Sequence, residues 1–237
     1  MLAMNISIII PTYNEEENIK SLIHFLLQHS KDSLIEIIVS DGGSQDNTIA
    51  EANNAGGIAL LSYKKGRAAQ MNFGASIAKG DILYFVHADS FPSKKFVTDI
   101  EQAIHDGYDL GRYYTQFASP KKILKINAWF TRFDLFMCMG GDQTLFIKRN
   151  LFEQCSGFNE DMNIMEDYEF CSRARLKGNY KIMNGAALIS ARKYDSNSWW
   201  RVQLANARII RMYKQNASQQ EMIDTYKKVL SYRKNAF

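Results

Sequence analysis

Three short runs of polar side chains each follow directly on an apolar, β-branched run. Pro11-Thr12-Tyr13-Asn14-Glu15 follows Ile6–Ile10, Asp41-Gly42-Gly43-Ser44 ends the run from Ile35, and His87-Ala88-Asp89-Ser90 follows Ile82–Val86. In open α/β sheets, ligands bind outside the carboxyl ends of the strands, so three such runs would lie along one rim. Two further clusters head helical stretches. Lys64-Lys65-Gly66-Arg67 is basic, and a guanidinium binds phosphate oxygens bidentately. Glu166-Asp167 is acidic, and a positioned carboxylate acting as a general base typically contributes ~10²–10⁴-fold. Each cluster also has a bland reading. Glu15, Glu16 and Glu17 would complement a helix dipole, Asp41 would make a turn, and Asp89 with Ser90 would start the helix after Pro92. Lys64, Lys65 and Arg67 would be a solvated turn, and Glu166-Asp167 an acidic first turn above a Glu169–Arg173 pair. Their joint appearance at successive strand ends favours a site. No GxGxxG or GxxxxGK[ST] occurs, which argues against a dinucleotide fold and a P-loop NTPase.

The elements that must position these groups alternate over the first ninety residues. Ile6–Ile10 is apolar almost throughout and reads as a strand buried on both faces. Glu15–Gln28 places Ile19, Leu22, Ile23 and Leu26 on one helical face. Ile35–Ser40, Ile58–Ser62 and Ile82–Val86 read as further strands, with Ser44 or Asp46 capping the helix after Asp41-Gly42-Gly43. Ala68–Lys79 reads as a helix closed by Gly80. Strand–helix alternation with short connections predicts a parallel sheet with right-handed crossovers. After Pro92 the spacing predicts helices over Lys94–His105, Lys121–Phe133 and Glu166–Lys177, the last ended by Gly178, and strands over Leu110–Phe117 and Thr144–Lys148. Trp199–Tyr213 forms a cationic amphipathic helix with Trp199, Val202, Ile209 and Tyr213 on one side and Arg201, Arg208 and Arg211 toward the other. A terminal helix packed on the domain is the expected reading and a membrane-surface role the minority one.

Composition bounds the class. The 237 residues, 46% hydrophobic and 23% charged, suit one soluble globular domain and argue against disorder. No apolar run approaches the ~20 residues a spanning helix needs; the nearest, Ile126–Met139, is broken by Arg132 and Asp134. The first residues, MLAMNISIII, carry no basic n-region or cleavage site, so a cytoplasmic protein is expected. Cys138, Cys155 and Cys171 contain no CxxC, which disfavours a disulfide framework and a zinc site. The net charge of +4 is uneven: residues 1–172 carry 15 basic and 22 acidic side chains, a net of −7, and residues 173–237 carry 14 and 3, a net of +11. The basic end suggests an anionic ligand, closure over phosphates through Arg192 or Lys193, or peripheral contact with an anionic membrane. Trp199, Trp200 and neighbouring arginines would suit nucleic acid, but the acidic body and the lack of a nucleic-acid motif exclude it as the expected partner.

The segments SIIIPTYNEEENI, IIVSDGGSQDNT, GRAAQMNFGASIAKGDILYFVHADS and GGDQTLFIKRNLFEQCSGFNEDMNIMEDYEFCSRARLKG together resemble the family 2 glycosyltransferases of the GT-A fold. They cover most of residues 5–178. The chain looks closest to short bacterial members in which a His-Ala-Asp triplet stands in place of Asp-x-Asp. The resemblance implies a single GT-A domain: a Rossmann-like, mostly parallel sheet flanked by helices, with a C-terminal helical segment. Within it, residues 5–90 would form the nucleotide-binding half, 91–178 the acceptor and catalytic half, and 179–237 the basic C-terminal segment. It also implies transfer of a sugar from a nucleoside diphosphate sugar, UDP-linked, to an unknown acceptor with inversion, assisted by Mg²⁺ or Mn²⁺.

Residue by residue, Pro11, Thr12, Tyr13 and Glu15 with Asp41 match the family's nucleotide side, and Arg67 suits the diphosphate. Asp89 matches the last carboxylate of the metal motif. His87 stands where the first Asp is commoner and is expected on the nucleotide side, at the ribose or diphosphate; one carboxylate fewer weakens a hard-cation site. Asp167 aligns with the catalytic base, paired with Glu166. Asp142 and Gln143 lie where the family lines its acceptor pocket. Two rivals share these motifs. A nucleotidyltransferase of the same shape would carry a Gly-rich basic loop where Pro-Thr-Tyr-Asn-Glu stands. A nucleotide-sugar binder without turnover would not need Asp167.

Overall fold

The structure, a computed structural model, describes residues 4–30, 32–136 and 144–230. Strand β1 (Ile6–Thr12) is buried along its whole length, because it lies inside the sheet between β2 (Leu34–Asp41) and β4 (Ile82–Phe85). Helix α1 (Glu16–Gln28) buries the predicted face, Ile19, Leu22, Ile23 and Leu26. α2 (Thr48–Asn54), β3 (Ile58–Leu61) and α3 (Arg67–Ile77) complete the alternating half. The eight strands run in the order β3-β2-β1-β4-β7-β6-β8-β5, and β3, β2, β1 and β4 are parallel, as the alternation predicts.

The second half departs from that regularity. β5 (Ser90–Phe91) is a two-residue strand against β8 (Tyr180–Ser190). α4 (Phe96–His105) leads to β6 (Leu110–Ala118), and α5 (Leu124–Phe130) to β7 (Leu145–Lys148). β7 pairs antiparallel with both β4 and β6, whereas β8 lies parallel to β6. α6 (Arg149–Gln154), α7 (Glu166–Ala174), α8 (Trp199–Lys214) and α9 (Gln219–Val229) are the remaining α-helices of the described residues. β5, α6, β8 and α9 had no counterpart in the sequence reading.

Alternating strand residues feed two cores, the period-two consequence of the pleat. Ile8, Ile10 and Tyr84 pack with α1 and α4 on one face, while Ile9, Leu83 and Phe85 pack with Phe152, Phe158 and Phe170 on the other. The inner side of α8 is the predicted one: Val202 and Ile209 are buried, and Trp199 and Tyr213 are partly so. α9, opened by a Ser218–Glu221 capping box, adds Met222 and Ile223 to that packing. The cationic terminal helix therefore packs on the domain.

Several boundaries differ from expectation: α5 spans Leu124–Phe130 and not Lys121–Phe133, and three others have a visible cause. α3 stops at Ile77, where Ala78 turns extended, and the Arg149 guanidinium donates to the carbonyls of Ala75, Ala78 and Gly80. Gly80 serves a close approach instead of a cap, since a Cβ there would lie 2.6 Å from the Ser7 nitrogen. α7 likewise ends at Ala174, and a Cβ on Gly178 would meet Leu151 at 2.4 Å. The N-cap position of α2 is Asn47, not Ser44 or Asp46. The Ser44 hydroxyl is turned to Asp41, and Asp46 Oδ1 accepts from the Thr48 amide at 3.0 Å.

Candidate active site

The carboxyl ends of β1 and β4 open into a cleft of about 1120 Å³, closed on its other sides by the amino ends of α3 and α7 and by α5 and α8. Pro11, Thr12, Tyr13, Glu15, His87 and Asp89 line it from the strand ends, and Arg67, Glu166 and Asp167 from the two helix starts. Nine side chains from separated parts of the chain therefore meet in one concavity.

Asp41 stands apart from them. It is fully buried and does not line the cleft. Oδ1 accepts from the Gly43 and Ser44 amides at 2.8 and 2.7 Å, and Oδ2 from the Thr12 and Ser44 hydroxyls at 3.0 and 2.6 Å. Its carboxylate is thus consumed in holding the turn after β2 and in orienting Thr12. Gln70, on α3, reinforces the same rim, donating from Nε2 to the carbonyls of Thr12 and Ser40 at 2.6 and 2.9 Å. Asn14, at φ 54°, receives the Gln45 amide on its side chain and donates its own amide to Ser44 Oγ. An Asn tolerates that left-handed backbone better than most residues, so the loop after β1 is locked onto the loop after β2.

One wall carries the ion pair of Arg67 and Glu166. Arg67 is the first residue of α3 and its Nε lies 2.7 Å from Glu166 Oε1. Glu166 is only 1% exposed, so a partly exposed guanidinium covers a carboxylate that water barely reaches. The loop before α7 is also tied to α3 and the loop before it through Glu160, which receives Asn72 Nδ2 at 3.0 Å and the Tyr63 hydroxyl. Burial alone would raise the Glu160 carboxyl, but Tyr63, Asn72 and Lys64 outweigh it and hold it below its ordinary value. The Tyr63 phenol is pushed up to about 12, first by that hydrogen bond and then by burial. Asp167 follows Glu166 in the first turn of α7, whose Met165 N-cap sits at φ 68°.

The facing wall carries Asp89, Glu15 and Arg192. Arg192 begins a 3₁₀ turn just after β8. Its Nη2 lies 2.7 Å from Asp89 Oδ2 and 3.5 Å from Glu15 Oε1, and its Nε donates to Ser190 Oγ at 3.1 Å. Near the first strand end the Lys65 ammonium sits 4.0 Å from the centre of the Tyr13 ring. Arg67 and Arg192 therefore each stand beside a carboxylate in the cleft, while Lys65 stacks on Tyr13. Among the described residues, no group of three or more His, Cys, Asp or Glu comes close enough to hold a metal alone.

Asp142 and Gln143 lie outside the described residues. Gln70, Asn127 and Gln203 line the cleft without having been singled out in the sequence. The one signal for Gln70 was a long polar side chain amid the small residues of α3.

The comparisons with known proteins agree in kind. The family model described as glycosyl transferase family 2 matches residues 7–160. An uncharacterized glycosyltransferase of Haemophilus influenzae is 25% identical over 181 residues, covering 70% of this chain and 60% of that protein. A dolichol-phosphate mannosyltransferase of Pyrococcus furiosus is 29% identical over 112 residues, covering 45% of this chain and 32% of that one. The match thus spans less than two thirds of the length of these relatives. Among solved structures, a mannosyltransferase of Pyrobaculum calidifontis in complex with GDP-Man and Mn²⁺ aligns with a TM-score of 0.68 at 15% identity, over 97% of this chain and 70% of that one. S. aureus TarS 1-349 in complex with UDP-GlcNAc aligns at 0.62 and 18% identity, over 95% and 71%. The mixed sheet has the GT-A fold of these neighbours, and with the family model spanning well over half its length the chain belongs to glycosyl transferase family 2.

Proposed function

We propose that this chain transfers a sugar from a nucleoside diphosphate sugar, UDP-linked, to an acceptor hydroxyl with inversion. The observation that carries the reading is the Arg67–Glu166 pair, which sets a phosphate-binding guanidinium one residue from Asp167 in the same cleft. Similar structures hold GDP-Man and UDP-GlcNAc, which supports a nucleotide sugar as the donor class. Thr12, Tyr13 and Glu15 take the base and ribose, with Asp41 holding Thr12 from behind. Residues 5–90 form the nucleotide half and 91–178 most of the acceptor and catalytic half, with Asp142 and Gln143 assigned to the acceptor. From the basic segment 179–237, Arg192 reaches the donor.

Asp167 removes the proton of the acceptor hydroxyl as that oxygen attacks the anomeric carbon. The bond from that carbon to the diphosphate breaks on the opposite face, and its electron pair leaves with the nucleoside diphosphate. Glu166 acts through Arg67, fixing the guanidinium for the diphosphate; at 1% exposure and paired with a cation, it is a positioning residue and not a second base. Arg192 adds positive charge from the Asp89 side. A divalent metal would find here a one-carboxylate site, Asp89, whose Oδ2 already accepts from Arg192 and leaves Oδ1 for it; Mg²⁺ is commonly held by one or two carboxylates plus substrate phosphates. Asp89 would hold it, and it would supply charge neutralisation to the departing diphosphate.

Thermal-shift screening against UDP, GDP and their sugars, with and without Mn²⁺, tests the donor class, because specific binding stabilises the folded state by mass action. A shift with a nucleoside diphosphate is expected. No shift with any of them would overturn the reading. Product analysis showing pyrophosphate instead of a nucleoside diphosphate would identify a nucleotidyltransferase.

A further inference from the structure

The run Ile126–Met139 was too short and too interrupted to span a membrane, and the structure leaves its described part, with Ile123 before it, turned outward. Ile123, Ile126, Trp129, Phe130, Phe133 and Leu135 are all exposed, Trp129 at 53%. Of the α5 residues only Leu124 is buried. α1 shows the ordinary arrangement, an apolar face of four residues turned fully into the core. Large apolar side chains clustered this densely on a surface mark an interaction site, whereas the same residues scattered singly would mean nothing.

The charges around the strip are mostly basic, and the two nearest acids, Asp134 and Asp195, are each paired with a cation. Lys122, Lys125 and Arg132 are exposed within it, Arg132 lying 4.2 Å from the centre of the Tyr114 ring. Asp134, the only acid between residues 121 and 135, is paired with Arg175. α8 meets α5 where Trp199 Nε1 donates to Asn127 Oδ1 at 3.0 Å, and it presents exposed Trp200, Arg201 and Leu204. Aromatic and aliphatic side chains among lysines and arginines are the composition that settles at a headgroup–acyl boundary, with the long cationic stems reaching back to anionic headgroups. The strip is also continuous with the active site, since Phe130 and Leu135 line the cleft itself.

We infer that this strip docks the protein on an anionic membrane surface and that the acceptor is a lipid-borne hydroxyl entering the cleft past Phe130 and Leu135. The acceptor half of the inference rests on the transferase reading; the surface contact does not. It moves the membrane-facing part from the cationic C-terminal helix, whose apolar side is used in packing, to α5 and the turn after it.

Vesicle co-sedimentation of the full chain tests this without any transfer assay. Binding is expected to vesicles of mixed phosphatidylglycerol and phosphatidylcholine at low salt, weakened by high salt and absent from pure phosphatidylcholine. The triple variant Ile126→Ser, Trp129→Ser, Phe133→Ser should lose about tenfold or more in partitioning while keeping the wild-type thermal shift with UDP. Should that variant fold poorly, Lys122→Glu with Lys125→Glu, at exposed positions, should reduce the phosphatidylglycerol preference about tenfold. Failure of the wild type to bind anionic vesicles at low salt would overturn the inference. So would undiminished binding by both variants, or a wild-type dimer that the triple variant converts to monomer without any vesicle binding. Vesicle binding by a chain that gives no shift with any nucleotide would uphold the surface and sink the transferase reading instead.

Discussion

The two halves of the sheet are built by different means. β3, β2, β1 and β4 are parallel strands joined by short helical crossovers, and the polar runs at their ends sit beside one another in register, Thr12 opposite Asp41. The other half is assembled from distant pairings: β7 antiparallel to β4, and β8 parallel to β6 over nine residue pairs with a register shift between Tyr113 and Tyr114. In the first half a site residue is held by neighbours that local sequence supplies. In the second, Arg192 meets Asp89 across 103 residues. The lesson is a division of labour. Donor-side scaffolding is internally satisfied, as Asp41 shows, while Arg67 and Asp89 of the first half meet partners, Glu166 and Arg192, brought in from the second together with the proposed base Asp167.

Four substitutions probe that division. The largest effect belongs to Asp167→Asn, which removes the proposed base and should lower kcat by ~10²–10⁴-fold. A steady-state assay with the acceptor in hand, showing near-normal turnover, would reassign the base. Asp41→Ala comes next, leaving four donors without their acceptor. It should cost about 2–4 kcal/mol of stability, read by urea melts, and should also weaken UDP binding through Thr12. If it left stability intact but abolished donor binding, Asp41 would belong to the acting groups and the contrast between the halves would fail.

Arg192→Gln should do the opposite. Donor affinity by calorimetry should fall about tenfold or more, the scale of a lost charge-assisted contact, with the melting temperature nearly unchanged. A large stability loss would instead make Arg192 a structural clamp. The smallest effect is expected at Glu160. Its carboxyl is lower folded than its ordinary 4.5, so the stability it contributes is present above that value and is lost as pH falls through the folded one. Glu160→Gln should therefore cost under ~1 kcal/mol at neutral pH, and the gap from wild type should narrow as pH falls below 4.5 and through the folded-state value. A gap constant with pH would mean that hydrogen bonding, and not charge, joins the loop before α7 to α3.

Much of the first half was legible because its signals are local. The apolar run of β1, the periodicity of α1 and the short connections each arise within about fifteen residues, and burial follows from them. What was misread there depended on a partner elsewhere. Gly80 looked like a helix stop but is needed for the approach to Ser7, and Ser44 looked like a cap but is claimed by Asp41. β8 and α9 went unread because Tyr180–Ser190 carries Lys181, Asn184 and Gly185 among its apolar residues, and α9 is largely polar. Their apolar faces count only against β6 and α8.

The amino-acid sequence alone determined the parallel half of the sheet and the chemical types arrayed at its strand ends, since period and residue type are local properties. It also carried the family membership, through motifs spread over most of residues 5–178. Only the tertiary structure decided which carboxylates face the cleft. Asp41 turned inward because four donors converge on it, whereas Glu166 met Arg67 because two helix starts meet. It alone decided, too, that the apolar run after Pro120 faces outward while the cationic helix packs, because burial depends on what each face finds opposite it.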